Sequence, residues 1–208
     1  MKLKKGFKKT LLLLLVILLA VASIFVYKKY FSNKKESKEV KIVNQIEKYD
    51  YKLKDNKSKK YKTLFKELKE ILSKEEVNEE EYAKKITEMF IIDFYTLNDK
   101  ITKSDVGGVE FLHKDVVENF LLNAEDTYYK YLESNLYNDR KQSLPEVEEV
   151  TIEEIKTSPF NVGNSVDEKA YIITAKWTYT ESEFSSYQSS ATLVFAHDGI
   201  KLSLIELQ

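Results

Sequence analysis

Lys169–Thr180 reads KAYIITAKWTYT. Tyr171, Ile173, Ala175, Trp177 and Tyr179 fall on one side of an extended chain. Ile172, Thr174, Lys176, Thr178 and Thr180 fall on the other. This strict period of two predicts a strand with one buried face, as in an antiparallel sheet packed on helices. Working outward, Tyr187–His197 places Tyr187, Ala191, Leu193 and Phe195 on one face. Asp198-Gly199 reads as a two-residue hairpin turn, and Ile200–Leu207 returns with Ile200, Leu202 and Leu204 on one face. Upstream, Val150–Ile155 reads as an edge strand, and Leu144-Pro145 closes a helical part.

That helical part holds three segments. Asn56 or Ser58 can cap a helix to about Leu72, with Tyr61, Leu64, Phe65, Leu68, Ile71 and Leu72 on one stripe. Its opposite side carries Lys59, Lys62, Lys66, Lys69 and Lys74, either a solvated face or a contact for lipid headgroups or an acidic partner. Asn78 opens a second helix expected to reach about Ile101. Glu79, Glu80 and Glu81 fill its first turn, where the helix dipole favours negative charge. Its apolar stripe is wide enough to imply burial on more than one side. Gly107-Gly108 break the chain. Val109–His113 is a short strand or a loop on the core, and a third helix is expected from about Asp115 to Leu136. Tyr128, Tyr129, Tyr131 and Tyr137 wrap around it, so at least one is exposed and hints at a protein interface. Tyr49, Tyr51 and Leu53 alternate in a short extended piece. Three helices followed by a meandering sheet of about four strands give an α+β fold.

Ahead of these elements lies LLLLLVILLAVASIFVY, residues 11–27, between Lys2, Lys4, Lys5, Lys8 and Lys9 on one side and Lys28 and Lys29 on the other. As a helix from Leu11 to Tyr27 it spans about 26 Å, enough for a thin hydrocarbon core with lysines snorkelling at both ends. It reads as an uncleaved signal-anchor. A cleaved signal ending at Ala20-Val21-Ala22 and a buried soluble helix are the other readings. The expected organisation is a basic tail 1–10, a transmembrane segment 11–27, a lysine-rich stalk 28–44 and a globular domain 45–208. The basic tail ahead of the run favours a cytoplasmic N-terminus and an external domain, although the lysine counts on the two flanks are close.

The chain has 208 residues and a net charge of −1, but the charge is polarised. Residues 1–35 carry nine lysines and no acid; residues 75–208 carry twelve basic and twenty-seven acidic residues. An acidic distal half with the single arginine Arg140 excludes nucleic acid as the expected partner. The absence of cysteine excludes disulfides, thiol catalysis and cysteine-ligated metals.

The order of elements resembles the bitopic subunit of type IV secretion and conjugation channels, with its short tail, one span, helices and curved sheet. The residues carrying it are Leu11–Tyr27, Tyr82–Ile101 with Phe94-Tyr95, Asp115–Leu136, and the strands Lys169–Thr180, Tyr187–His197 and Ile200–Leu207. The resemblance implies a cystatin-like, nuclear-transport-factor-2-like outer domain acting as an assembly scaffold. It rests on architecture and carries no specific motif.

No nucleophile elbow, phosphate loop, dinucleotide fingerprint or calcium loop is present. His113, near Asp115, and His197, before Asp198, are the only imidazoles, each read as an exposed or capping residue rather than a general base. Glu146, Glu148, Glu149, Glu153 and Glu154 read as a solvated strand edge. The remaining candidates are Trp177, Tyr179, Tyr187 and Phe195, together with Tyr171. They either line a ligand cone or form the core beneath the helices, and the core reading is preferred. The sequence therefore leads to no catalytic residue, cofactor or metal, and to a membrane-anchored interaction domain. Its partners are lipid through the anchor and a protein or second copy. The alternative is an external ligand-binding or enzymatic cone.

Overall fold

The computed structural model describes residues 18–24 and 40–208. Residues 18–24 are helical (α1), with Leu18, Leu19, Val21 and Ile24 exposed and the Ser23 hydroxyl donating back to the Leu19 carbonyl at 2.8 Å. They are the described part of the expected span; Leu11, Tyr27 and the other residues of 11–27 lie outside the described residues. Among the described residues no helix is long and apolar enough to cross a membrane.

A separate compact unit runs from Val40 to Gln208 and is α+β. It begins with an antiparallel pair, β1 (Ile42–Ile46) and β2 (Tyr51–Lys54), so its first strand starts three residues inside the stretch expected as stalk and crosses into the expected domain. Tyr51 and Leu53 are buried, as their alternation requires. Helix α2 (Lys59–Leu72) starts at Ser58, whose hydroxyl accepts the Tyr61 N–H at 3.1 Å. Helix α3 (Glu79–Tyr95) starts at Asn78, whose side chain accepts the Glu81 N–H at 3.1 Å. Every residue of α3 from Met89 to Tyr95 is buried, which explains the width of its apolar stripe.

Helix α3 stops at Tyr95, six residues before the expected end. Thr96 is extended, its hydroxyl accepts the Val147 N–H, and the Leu97 N–H donates to the Pro145 carbonyl at 2.8 Å. The chain thus pairs with the segment entering the sheet. Leu97 is buried there without being helical, so the apolar period outlasts the helix. Helix α4 (Val117–Asp126) is likewise shorter than the expected Asp115–Leu136. Thr127 leaves helical geometry. The hydroxyls of Tyr128 and Tyr129 then donate to the Tyr95 and Phe94 carbonyls at 3.0 and 2.6 Å. Those carbonyls belong to the last turn of α3, which has no helical donors left to fill them.

The sheet is β3 (Val147–Val162), β4 (Ser165–Tyr179), β5 (Ser190–Asp198) and β6 (Lys201–Leu207), antiparallel throughout in the order 3-4-5-6. Edge strand β3 is much longer than Val150–Ile155 and carries three irregularities of register, each able to bend the strand. The last hairpin differs by one residue from expectation. Asp198 pairs with Lys201, so the turn is Gly199-Ile200, with Gly199 at φ 66 and Ile200 exposed. Glycine first in a two-residue turn is the pattern that a positive φ there demands.

Tyr171, Ile173, Ala175 and Trp177 of β4 join Ala191, Leu193 and Phe195 of β5 in one core with α2 and α3. On the other face Ala170, Val194 and Ala196 are buried beneath Phe160, Val162, Ile172 and Ile205.

Candidate functional site

Three of the four proposed cone residues, Trp177, Tyr179 and Phe195, belong to the one core. Trp177 is 4% exposed, with its ring 4.2 Å from that of Tyr95. Its indole N–H donates to the Tyr179 hydroxyl at 2.9 Å, and that hydroxyl donates to the Gln188 carbonyl at 2.5 Å. Phe195 is fully buried. Tyr187 is the exception. It lies before β5 rather than within it and is 40% exposed, packed edge-on against Phe184, Tyr128 and the cone residue Tyr179. The aromatic face is therefore filled by α3 rather than open. Burial pushes the hydroxyl pKa values of Tyr95 and Tyr179 up, and that of Tyr128 furthest, so none of them ionises near neutrality.

Beside this packing an apolar groove of about 380 Å³ runs between α4 and β6. Phe94, Phe120, Tyr128 and Leu204 line it, with Asn119, Asn123 and Gln188 as polar members.

The two imidazoles share a shallow cleft of about 340 Å³ at the far end of the sheet. The partner of His197 is Asp167 of β4, rather than the adjacent Asp198. Asp167 Oδ2 lies 2.9 Å from His197 Nδ1 and also accepts the His197 backbone N–H at 2.7 Å. Burial opposes the Asp167 charge, but the N–H groups of His197 and Lys169 and the imidazole hold its pKa below the usual carboxylate value. His197 Nε2 faces Glu79 at 3.6 Å. His113 is buried, its Nδ1 3.6 Å from Asp115 and accepting the Asp115 N–H at 3.3 Å. The Glu79 carboxylate and the Tyr171 ring, 6.3 Å away, are the other neighbours of the oriented imidazole. The Tyr171 hydroxyl lies 3.4 Å from the same Glu79 carboxylate, and the Asp167–His197 hydrogen bonds tie β4 to β5 beside the start of α3. Among the described residues no group of three or more histidine and acidic side chains is placed to hold a metal ion. The acidic run stays on the β3 edge, where Glu153 pairs with Lys176 at 2.7 Å and Glu146 accepts from Asn98.

One cluster has no counterpart in the sequence reading. Asp93 is 4% exposed. Lys57 Nζ lies 2.6 Å from both its oxygens, Lys100 Nζ is 3.3 Å away, and the Gly108 N–H donates at 2.8 Å. Burial alone would push this carboxyl up. The lysine charges and the two hydrogen bonds outweigh it and hold its pKa at about 2. Lys100 is also buried and bonds Asp99 at 2.7 Å. A Cβ on Gly107 would sit 1.9 Å from the Asp93 carbonyl oxygen, so only glycine fits there. The cluster ties the loop before α2, the end of α3 and the glycine turn together beside a cleft of about 550 Å³. Its one local signal is an aspartate inside the otherwise apolar MFIIDFY, residues 89–95. No family model, curated protein or solved structure matches the chain.

Proposed function

We propose that this chain is a membrane-tethered, non-enzymatic interaction domain of a cell-envelope assembly, held by residues 11–27 with the compact unit outside the cytoplasm. The observation that carries this reading is the filled helix–sheet interface. Trp177 packs against Tyr95 where a ligand cone would otherwise open, while Tyr131 and Tyr137, 77% and 74% exposed, offer aromatic surface to a partner. Aromatic side chains give large contact area at low entropic cost, so they are favoured in protein interfaces. The three register shifts of β3, each able to bend the strand, and the helices over one sheet face support the finer reading of a cystatin-like, nuclear-transport-factor-2-like cone. They also support the scaffold role that the resemblance to bitopic secretion-channel subunits implies.

The test is fractionation with protease treatment. Full-length chain should remain in the membrane pellet after high-salt and alkaline washes, and protease added to intact protoplasts should digest the region beyond about residue 36. Recovery of a shortened chain starting near Ser23 in the medium would establish cleavage. Protection until lysis would reverse the topology. The second reading, a small-ligand binder, is favoured by the groove between α4 and β6, whose mixed lining suits an apolar ligand with one polar end.

A further inference from the structure

We propose that the surface formed by β1 and the lysine row of α2 docks on an anionic phospholipid bilayer. Lys62, Lys66 and Lys69 recur at four and three, so they share one stripe of α2. Two of them fix that stripe against the β1–β2 hairpin. Lys69 Nζ donates to Asn44 of β1 at 2.8 Å, and Lys62 Nζ donates to the Asp55 carbonyl at 2.7 Å. Asp55 in turn pairs with Lys41, through its own N–H to the Lys41 carbonyl and through its carboxylate to the Lys41 N–H. Beside this basic row, Val40, Ile42 and Val43 are 47%, 55% and 56% exposed. Val43 is the unpaired extra residue where the β1–β2 register shifts between Ile42 and Asn44, so the strand offers both Ile42 and Val43 to solvent there. The start of β1 therefore presents exposed apolar side chains beside a row of lysines. Apolar side chains entering the headgroup region and cations meeting lipid phosphates are the two components of interfacial binding.

Charge selects the occupant. Residues 40–74 hold eleven lysines against five acids, while residues 75–208 hold twelve basic and twenty-seven acidic residues. An anionic surface attracts the first region and repels the second, which orients the domain. The acids near the row are Asp55, whose carboxylate accepts the Lys41 N–H, exposed Glu70, 3.9 Å from Lys66, and the half-buried Glu67, which is occupied by Lys85 at 2.7 Å. Exposed pairs of this kind hold little energy and give way to a stronger field. Reach agrees. Twelve residues separate Tyr27 from Val40, at most about 43 Å of extended chain, so a domain tethered by residues 11–27 stays near the bilayer. For that reach the docking rests on the tethered reading; its charge and exposure are properties of the compact unit alone.

The chain has no cysteine, so one introduced thiol is a clean label site. Full chain with Ile42→Cys carrying a polarity-sensitive dye is reconstituted in phosphatidylcholine vesicles with and without one-third phosphatidylglycerol. The expected result is a blue shift and a several-fold loss of quenching by aqueous iodide only with phosphatidylglycerol, reversed by high salt. The same dye at Glu168→Cys should not respond. In the labelled chain, Lys62→Gln, Lys66→Gln and Lys69→Gln together should weaken the response at least tenfold, since each lysine near such a surface is worth about fivefold. Val43→Ser, which leaves the lysines in place, should weaken it less. Equal quenching in both vesicle types overturns the proposal. So does protection that follows protein concentration rather than lipid charge, which would assign the surface to a second copy. Loss of the chain on alkaline wash with the phosphatidylglycerol response intact would remove the tether and leave the docking; retention with Ile42→Cys fully quenched would do the reverse.

Discussion

Asp93 and Tyr95 stand two residues apart on α3, about 200° around the helix axis, and they are held in opposite ways. On one side Asp93 is fixed by two ammonium groups and one N–H at the ends of three different segments. On the other, Tyr95 is fixed by area, with Trp177, Phe94 and Tyr128 around its ring. The ionic side is all-or-none, because loss of one partner strands buried charge. The aromatic side is graded, because neighbouring rings can settle into part of any space that opens.

The sharpest way to break the ionic side is Asp93→Ala. Lys100, 4% exposed, would keep only Asp99, and the Gly108 N–H would lose its acceptor. Removal of one partner from a buried ion pair costs about 3–5 kcal/mol. Urea unfolding followed by the single tryptophan should show a large drop in midpoint; a change below about 1 kcal/mol would mean that the cluster is hydrated rather than buried.

On the aromatic side, Trp177→Ala should cost about 3 kcal/mol, the lower end for truncating a buried large aromatic, because Tyr95 and Tyr179 can close on the gap. Trp177 should emit at short wavelength and resist acrylamide. Strong quenching in the native chain, with little stability lost in the alanine variant, would favour the ligand-cone reading.

Acid separates the two sides further. The Asp93 carboxyl is held at about 2, below its ordinary value near 4. A depressed acid contributes stability that is present above the unfolded pKa and is lost as pH falls through the folded one. Between about pH 4 and pH 2 the chain should lose on the order of 2 kcal/mol from this group. Burial pushes the Glu110 and Asp99 carboxyls up, so those two act with the opposite sign, at the less acidic end. In Asp93→Asn the part of the loss that comes from this group should vanish, leaving that of the Asp167 carboxyl, which is also held low, whereas Trp177→Ala should retain both. Unfolding midpoints of the three chains across that range decide it.

The aromatic side was legible because burial writes a period into the chain. KAYIITAKWTYT alternates, and the tyrosine, phenylalanine and isoleucine positions of α3 recur at helical spacing. The same period misled at the ends. Leu97 is buried in extended chain beyond α3, and Tyr129 and Leu132 are buried in turns beyond α4, so apolar spacing ran past both helix termini. What ends these helices is long-range: a carbonyl of Pro145 and the tyrosine hydroxyls that fill the last turn of α3. The ionic side left almost no local trace. Lys57, Asp93, Lys100 and Gly108 meet only after folding, and any of thirty-two lysines could have been the partner of Asp93. His197 shows the same limit: Asp167, thirty residues away, is its partner, and the adjacent Asp198 is not.

The smallest effect sharpens the comparison by coupling. Ser58 caps α2, accepting the Tyr61 N–H, and follows Lys57, which reaches Asp93. The first turn of α2 has no acid and carries Lys59 and Lys60, both unfavourable at the positive end of the helix dipole, so the cap is its main local support. Ser58→Ala should cost about 1 kcal/mol, and Ser58→Asp should recover it, since a carboxylate both caps and complements the dipole. Loosening the cap frees the adjacent Lys57 backbone and lets the ammonium drift from Asp93. Combined with Asp93→Ala, the loss should therefore fall short of the sum of the two single changes. Combined with Trp177→Ala, which shares no partner with Ser58, it should add to within about 0.5 kcal/mol. Additivity in both double variants would separate the α2 cap from the ionic cluster and leave Lys57 held by its stacking over the Tyr61 ring, 4.9 Å from the centroid.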